Sequence, residues 1–124
     1  LSTRNAEKLG LSGNYDASLQ SANELTGSFD FIVSNPPYIP SQDLQGLDAE
    51  VSDFEDPRAL DGGADGLVVA RQLLDRAPSV LRGDRQSVWL ELDETGPALL
   101  SRSYACESFV DLAGKERFAR VDFS

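Results

Sequence analysis

The chain has 124 residues, 40% of them apolar, which is about the size of one modest globular domain. Eleven Lys and Arg against 21 Asp and Glu leave a net charge of -10, which disfavours a non-specific grip on a polyanion and so disfavours nucleic acid as a partner. One cysteine, Cys106, and no histidine exclude, within these residues, a disulfide framework, a Cys/His zinc site and any His-based catalytic triad.

No metal site is expected, and Cys106 reads as a core or half-buried thiol. No apolar run approaches the roughly 20 residues of a membrane span, and the first residues have neither signal nor transit composition. A soluble chain without a membrane partner is the expectation. There is no methionine, and the chain begins in mid-pattern, so it reads as a piece of a longer protein.

In chain order, residues 2–11 read as the last turns of a helix stopped by Gly10. Tyr15 to Gln20 is a weak strand, followed by a polar link through Gly27. Phe29 to Ser34 is a short apolar strand that runs into Ser-Asn-Pro-Pro. Residues 39–62 are acidic and irregular with a helical turn, a connection long enough to suggest a lid or binding segment. Asp65, as N-cap, opens a helix to about Leu81, with Leu67, Ala70, Leu74, Ala77 and Leu81 on one face and Pro78 ending it early. Ser87 to Leu92 is a buried strand, and Glu94 to Tyr104 a helix with Pro97 in its first turn. Ser108 to Leu112 and Arg117 to Phe123 close the chain as a hairpin. The alternation predicts an α/β fold, a mostly parallel sheet with an antiparallel C-terminal hairpin at its edge.

In such sheets ligands bind at the carboxyl ends of strands, where Asn35-Pro36-Pro37-Tyr38 lies. A proline forces the preceding residue into extended geometry, so Pro37 fixes Pro36 and Pro36 fixes Asn35. Two successive positions then lack an N–H, and the Pro36 carbonyl points in a preset direction. A primary amide or aromatic amine offers two N–H donors, which the Asn35 side-chain oxygen and the Pro36 carbonyl can accept together. Tyr38 adds a flat face. Such a site holds an NH2 group and aims its nitrogen lone pair outward, with no strong base needed. The plainer reading is that Pro-Pro ends a strand and Tyr38 plugs the core.

These residues carry a resemblance. The stretch FDFIVSNPPYIP resembles the signature of amino-group methyltransferases that use S-adenosylmethionine. More narrowly it resembles the HemK/PrmC family, the protein-(glutamine-N5) methyltransferases of peptide-chain release factors. FEDPRALDGGADGL, VWLELDETGPALL, DLAGKERFARV and RNAEKLGL resemble further segments of that family, so the likeness covers nearly the whole chain. The spacing in FEDPRALDGG and the strand end LELD look closer to eukaryotic, mitochondrial-type members.

The resemblance implies a Rossmann-like methyltransferase fold, incomplete because its first two strands are missing. Residues 1–124 would form the C-terminal part of a single catalytic domain. It implies S-adenosylmethionine as cofactor, a release factor as protein substrate, and a mitochondrial or cytoplasmic location. Asn35, Pro36 and Tyr38 would be catalytic; Asn35 and Pro36 would hold the glutamine amide, with Pro37 and Tyr38 shaping its slot. Asn35 would also lie near the methionine end of the cofactor, and Ala22 and Asn23 near its adenine, where the family usually has an acidic and then often an aromatic residue. The family's glycine-rich loop and ribose-binding acid do not occur in the chain. Two other function classes share parts of the pattern: an adenine-N6 nucleic-acid methyltransferase, and a non-catalytic methyltransferase-like binding module.

Elsewhere, Asp61 to Gly66 (DGGADG) lacks the lysine of a phosphate loop and the spacing of an EF-hand, and reads as a flexible entry to the following helix. Glu91 and Asp93 read as a solvated strand end rather than an acid/base pair. Asp53, Glu55 and Asp56 read as a solvated charge run able to face a basic partner, and Lys115 to Arg117 as a surface turn.

Overall fold

The computed structural model describes residues 1–47 and 55–123. Helix α1, Ser2–Lys8, ends as its composition predicts. Gly10 takes φ 69°, and the Gly10 and Leu11 N–H groups donate back to the Glu7 and Ala6 carbonyls at 3.1 and 2.8 Å. Only glycine enters that left-handed conformation without a steric cost, and the paired bonds satisfy carbonyls the helix leaves open.

Residues 15–20 form no strand. A strand exists only where a neighbour supplies hydrogen bonds, and among the described residues no strand runs beside this segment. Its path leads instead to a 3₁₀ turn, Ala22–Glu24, that packs against a later helix. Strand β1 is Phe31–Ser34, slightly shorter than the expected 29–34, although Phe29 still bridges to Leu81. Beyond it come a 3₁₀ turn, Ser41–Gly46, and the short helix α2, Pro57–Leu60.

Helix α3, Val68–Arg76, is shorter at both ends than the sequence pattern suggests. Asp65 stands outside the helix, but its carboxylate still accepts from the Leu67 N–H at 3.1 Å. At the other end Pro78 lacks the N–H that would continue the ladder, and the chain tightens into a 3₁₀ turn, Ala77–Ser79. The predicted face is intact: Leu67, Ala70, Leu74, Ala77 and Leu81 are all buried.

Strand β2 is Ser87–Glu91 and helix α4 is Gly96–Leu100. The helix does not reach Tyr104. Its last carbonyls are taken in tight turns, by the Ser101 hydroxyl on Ala98 at 2.8 Å and the Arg102 N–H on Leu99 at 3.3 Å. Strands β3, Cys106–Val110, and β4, Glu116–Asp122, make the predicted hairpin. Asp111 closes its turn by accepting from the Ala113 and Lys115 N–H groups at 2.8 and 3.0 Å. These N–H groups, Lys115 first, hold its carboxyl below the usual carboxylate range.

The result is a mixed α/β fold with a four-stranded sheet in the order β1-β2-β4-β3. The pairing is parallel only between β1 and β2; β4 runs antiparallel to both of its neighbours. The expected C-terminal hairpin forms one edge of the sheet, with the reversed strand β4 inward and β3 at the rim; the ladder is less parallel than expected. Burial explains the placement. Ala119 and Val121 of β4 are buried opposite Leu90 and Val88 of β2, whereas Glu107 and Ser108 of β3 are exposed and suit the rim.

One face of the sheet is packed. Val88, Leu90, Leu92, Ala119 and Val121 meet Leu67, just before α3, Ala70 and Leu74 of α3 and Leu100 of α4 in a single apolar cluster. The opposite face carries Phe31, Val33, Trp89, Phe109 and Phe118, with Arg120 over the Trp89 and Phe109 rings at 5.5 and 5.9 Å. Phe31 and Val33 are 61% and 70% exposed. Among the described residues no helix is long and apolar enough to cross a membrane.

Candidate functional site

Asn35 to Tyr38 leave the carboxyl end of β1, as the sequence pattern predicts. Asn35 is exposed, Pro36 is buried, and Pro37 and Tyr38 are half-buried. Among the described residues, no donor reaches the Asn35 side-chain oxygen or the Pro36 carbonyl. Asn35 and Pro36 both line a cavity of about 330 Å³, together with Pro37, Tyr38, Glu55, Ala59 and Leu60. Asn35 also borders a second, mainly apolar hollow of about 290 Å³ with Val33, Trp89, Glu91 and Phe118. Asn35 therefore borders both concavities.

The motif is held in place from below by the segment Asp61 to Gly66. The Ile39 N–H donates to the Leu60 carbonyl at 3.0 Å, and the Gly62 N–H donates to the Ile39 carbonyl at 2.8 Å. Asp61 Oδ1 accepts from the Ser41 hydroxyl at 2.6 Å and the Gly63 N–H at 2.9 Å. These bonds, Ser41 first, hold the Asp61 carboxyl below its usual range. Gly62 and Gly66 are buried. The expected flexible entry is instead a closed, hydrogen-bonded support whose glycines let two stretches of backbone approach. Asp65 pairs with Arg71 at 2.7 Å on its outer side.

Of the charge run, Asp53 lies outside the described residues. Glu55 belongs to the cavity wall, and Asp56 caps α2 by accepting from the Arg58 N–H at 2.9 Å. The Arg58 guanidinium, 2.6 Å away, holds the Asp56 carboxyl at about 2. Asp93 holds the turn before α4, accepting from the N–H and hydroxyl of Thr95, the residue preceding the helix, at 3.2 and 3.1 Å, while Glu91 is half-buried and borders the apolar hollow beside Asn35. The two carboxylates thus face different surroundings.

Ala22 and Asn23 stand apart from the motif. They sit in the 3₁₀ turn against α3, where the half-buried Ala22 packs on the core and Asn23 is exposed. The nearby hollow, bordered by Leu19, Gln20, Ser21, Glu24, Asp56, Arg58 and Ala59, shares Ala59 with the motif's cavity among the described residues. At these two positions, expected near an adenine, Ala22 has no polar side chain and Asn23 carries an amide in place of a carboxylate. Cys106 is half-buried with its Sγ 3.9 Å from the Pro97 carbonyl, and burial pushes its thiol up.

Arg117, expected on a surface turn, reaches the site. Its Nη2 donates to the Tyr38 hydroxyl at 3.3 Å and its Nε to the Leu92 carbonyl at 3.2 Å. The two residues are 79 positions apart, and no local pattern signals such a contact. The neighbouring Lys115 does lie at the surface, paired with Glu94.

The site can thus present two oxygen acceptors, an aromatic wall and a slot. Comparison with known proteins adds chemistry. The chain is 45% identical over 75 residues to the human MTRF1L release factor glutamine methyltransferase. It is 48% identical over 85 residues to the release factor glutamine methyltransferase of Rhodospirillum rubrum, and 42% over 87 residues to that of Geobacter sulfurreducens. These matches cover 60%, 63% and 65% of this chain, but only 22%, 24% and 30% of the respective relatives. The chain therefore spans between about a fifth and a third of the length of these curated relatives. No family model matches it.

Proposed function

We propose that this chain, a homologue of the release factor glutamine methyltransferases, is the acceptor-binding part of an enzyme that methylates the side-chain amide nitrogen of a glutamine in a release factor. The observation that carries the proposal is the pair of open acceptors, Asn35 Oδ1 and the Pro36 carbonyl, beside a cavity of about 330 Å³. The identities of 42–48% with proteins of that name support the same reading.

S-adenosylmethionine is the cofactor assigned to the reaction, and it supplies an electrophilic methyl group. Asn35 Oδ1 and the Pro36 carbonyl accept one N–H each from the glutamine NH2, while Pro37 and Tyr38 confine the amide plane. An amide nitrogen is a weak nucleophile because its lone pair is delocalised into the carbonyl. Two acceptors that pull on the N–H groups raise electron density on nitrogen, and a confined plane keeps the lone pair aimed in one direction. The proton can leave after the N–C bond forms, so no histidine or raised carboxylate is needed. The exposed Asn35 fits the methyl-bearing end of the cofactor. Ala22 and Asn23 do not offer a grip on its adenosine, which on this reading falls to residues outside this chain.

We further read residues 1–124 as the C-terminal part of one Rossmann-like catalytic domain, with two further strands beside β1. A mitochondrial or cytoplasmic compartment, where release factors are found, is where the substrate would be met, and the acidic surface would suit a basic protein partner better than nucleic acid.

Mass spectrometry of a candidate release factor, incubated with the intact protein and S-adenosylmethionine, tests the proposal. A gain of one methyl group on a glutamine of the substrate is expected. N6-methyladenine in added DNA or RNA with an unmodified release factor would point to the adenine reading, and no transfer to either would point to a non-catalytic module.

A further inference from the structure

The two ends of Tyr38 are held by different parts of the molecule. Its main chain is fixed from below: Ile39 is bonded to Leu60 and Gly62, and the Tyr38 carbonyl lies against Gly66, where a Cβ would come within 2.3 Å of it. Its hydroxyl is met from across the sheet by Arg117 Nη2 at 3.3 Å. Arg117 is itself immobilised. Its Nε donates to the Leu92 carbonyl at 3.2 Å, and its own carbonyl accepts from the Leu92 N–H at 2.8 Å, with Leu92 wholly buried. A guanidinium is planar and always charged, so a fork fixed through Nε aims Nη2 in one direction. Removing the contact frees the ring to rotate about its side-chain bonds while leaving the Pro36 and Asn35 main chain where it is.

We propose that Arg117 is a positioning residue: anchored on Leu92, it sets the Tyr38 ring as the wall of the amide slot. Arg117 thereby controls the geometry of a slot that it does not itself line. The proposal deepens the amide-slot reading and rests on it for its catalytic consequence.

The test is a double-mutant cycle in the intact protein with Arg117→Leu and Tyr38→Phe, followed by two readouts. In methyl transfer to the release factor, Arg117→Leu should lower kcat by about tenfold, the order expected for a lost charged hydrogen bond. In the Tyr38→Phe background the same change should cost less than about twofold, because the shared contact is already gone. Equal losses in both backgrounds would reduce Arg117 to a scaffold for the hairpin and overturn the proposal.

The second readout is the NMR spectrum of tyrosine labelled with ¹³C at its ε carbons. The signal that disappears in Tyr38→Phe should shift or broaden in Arg117→Leu and in the milder Arg117→Lys. An unchanged Tyr38 signal in the folded variants overturns the positioning role. This arm is independent of activity, so a parent protein that transfers no methyl group would count against the amide-slot reading while the ring signal still decides for or against the contact.

Discussion

A Cβ added at Gly66 would stand 2.3 Å from the Tyr38 carbonyl oxygen and 3.5 Å from Pro40 Cδ, at a φ of 77° that side-chain-bearing residues avoid. Backbone sits on both sides of the clash, so neither partner can swing away. Gly66→Ala should destabilise the fold by about 2 kcal/mol or more, of which the left-handed backbone alone accounts for about 1–2 kcal/mol. Urea denaturation checks this, and a midpoint equal to the parent's would show that the Tyr38 loop yields more easily than its contacts imply. At this scale the sequence showed the reactive groups but not their supports. Asn35-Pro36-Pro37-Tyr38 was legible because proline restricts its neighbours locally. Gly66 and Arg117 were not, because what they do depends on chain segments brought close only by folding, 28 and 79 positions from Tyr38.

The elements are tied together by apolar faces and one polar strut. Leu74 of α3 is 1% exposed in the centre of the core, so Leu74→Ala should cost about 2–5 kcal/mol, measurable as a lower melting temperature. The strut is the Tyr104 hydroxyl, which donates to Asp75 Oδ1 at 2.6 Å and joins the exit of α4 to α3. Burial, and then the Asp75 carboxylate, push the phenol from 10.0 up to about 12. A raised folded value means that the fold favours the protonated phenol. Its contribution is complete below pH 10 and is lost as the pH rises through about 12. Tyr104→Phe should therefore lose about 1 kcal/mol at pH 8 and show a flatter fall in stability between pH 10 and 12 than the parent. Equal slopes by urea denaturation would show that Tyr104 does not drive the alkaline loss.

Periodicity made α3, β1, β2 and the hairpin legible, since each has an apolar face of its own. It could not show which hairpin strand lies against β2, because both read as strands and only the burial of Ala119 and Val121 decides between them. Nor could it show that 15–20 lacks a ladder, which depends on a neighbour rather than on the segment.

As a whole molecule, the chain leaves one flank of β1 without a strand among the described residues, with Phe31 and Val33 exposed on the uncovered face. A flat apolar edge of this kind invites pairing with another chain. The 124-residue chain alone should self-associate, and Val33→Lys, which places a charge on that edge, should shift it toward monomer in sedimentation velocity. A parent that sediments as monomer at high concentration would contradict this. The unpaired edge of β1 is where the two further strands of the proposed catalytic domain would pair. The account's central claim is that the exposed Asn35 side chain, rather than any acid or base, holds the reacting amide. The most direct measurement is turnover of Asn35→Ala in the intact protein, with cofactor affinity and thermal stability determined alongside. Losing one preorganised contact to the reacting group should lower kcat about 10²–10³-fold and leave stability unchanged, since Asn35 supports no other described group. Turnover within a few-fold of the parent would contradict the amide-holding role.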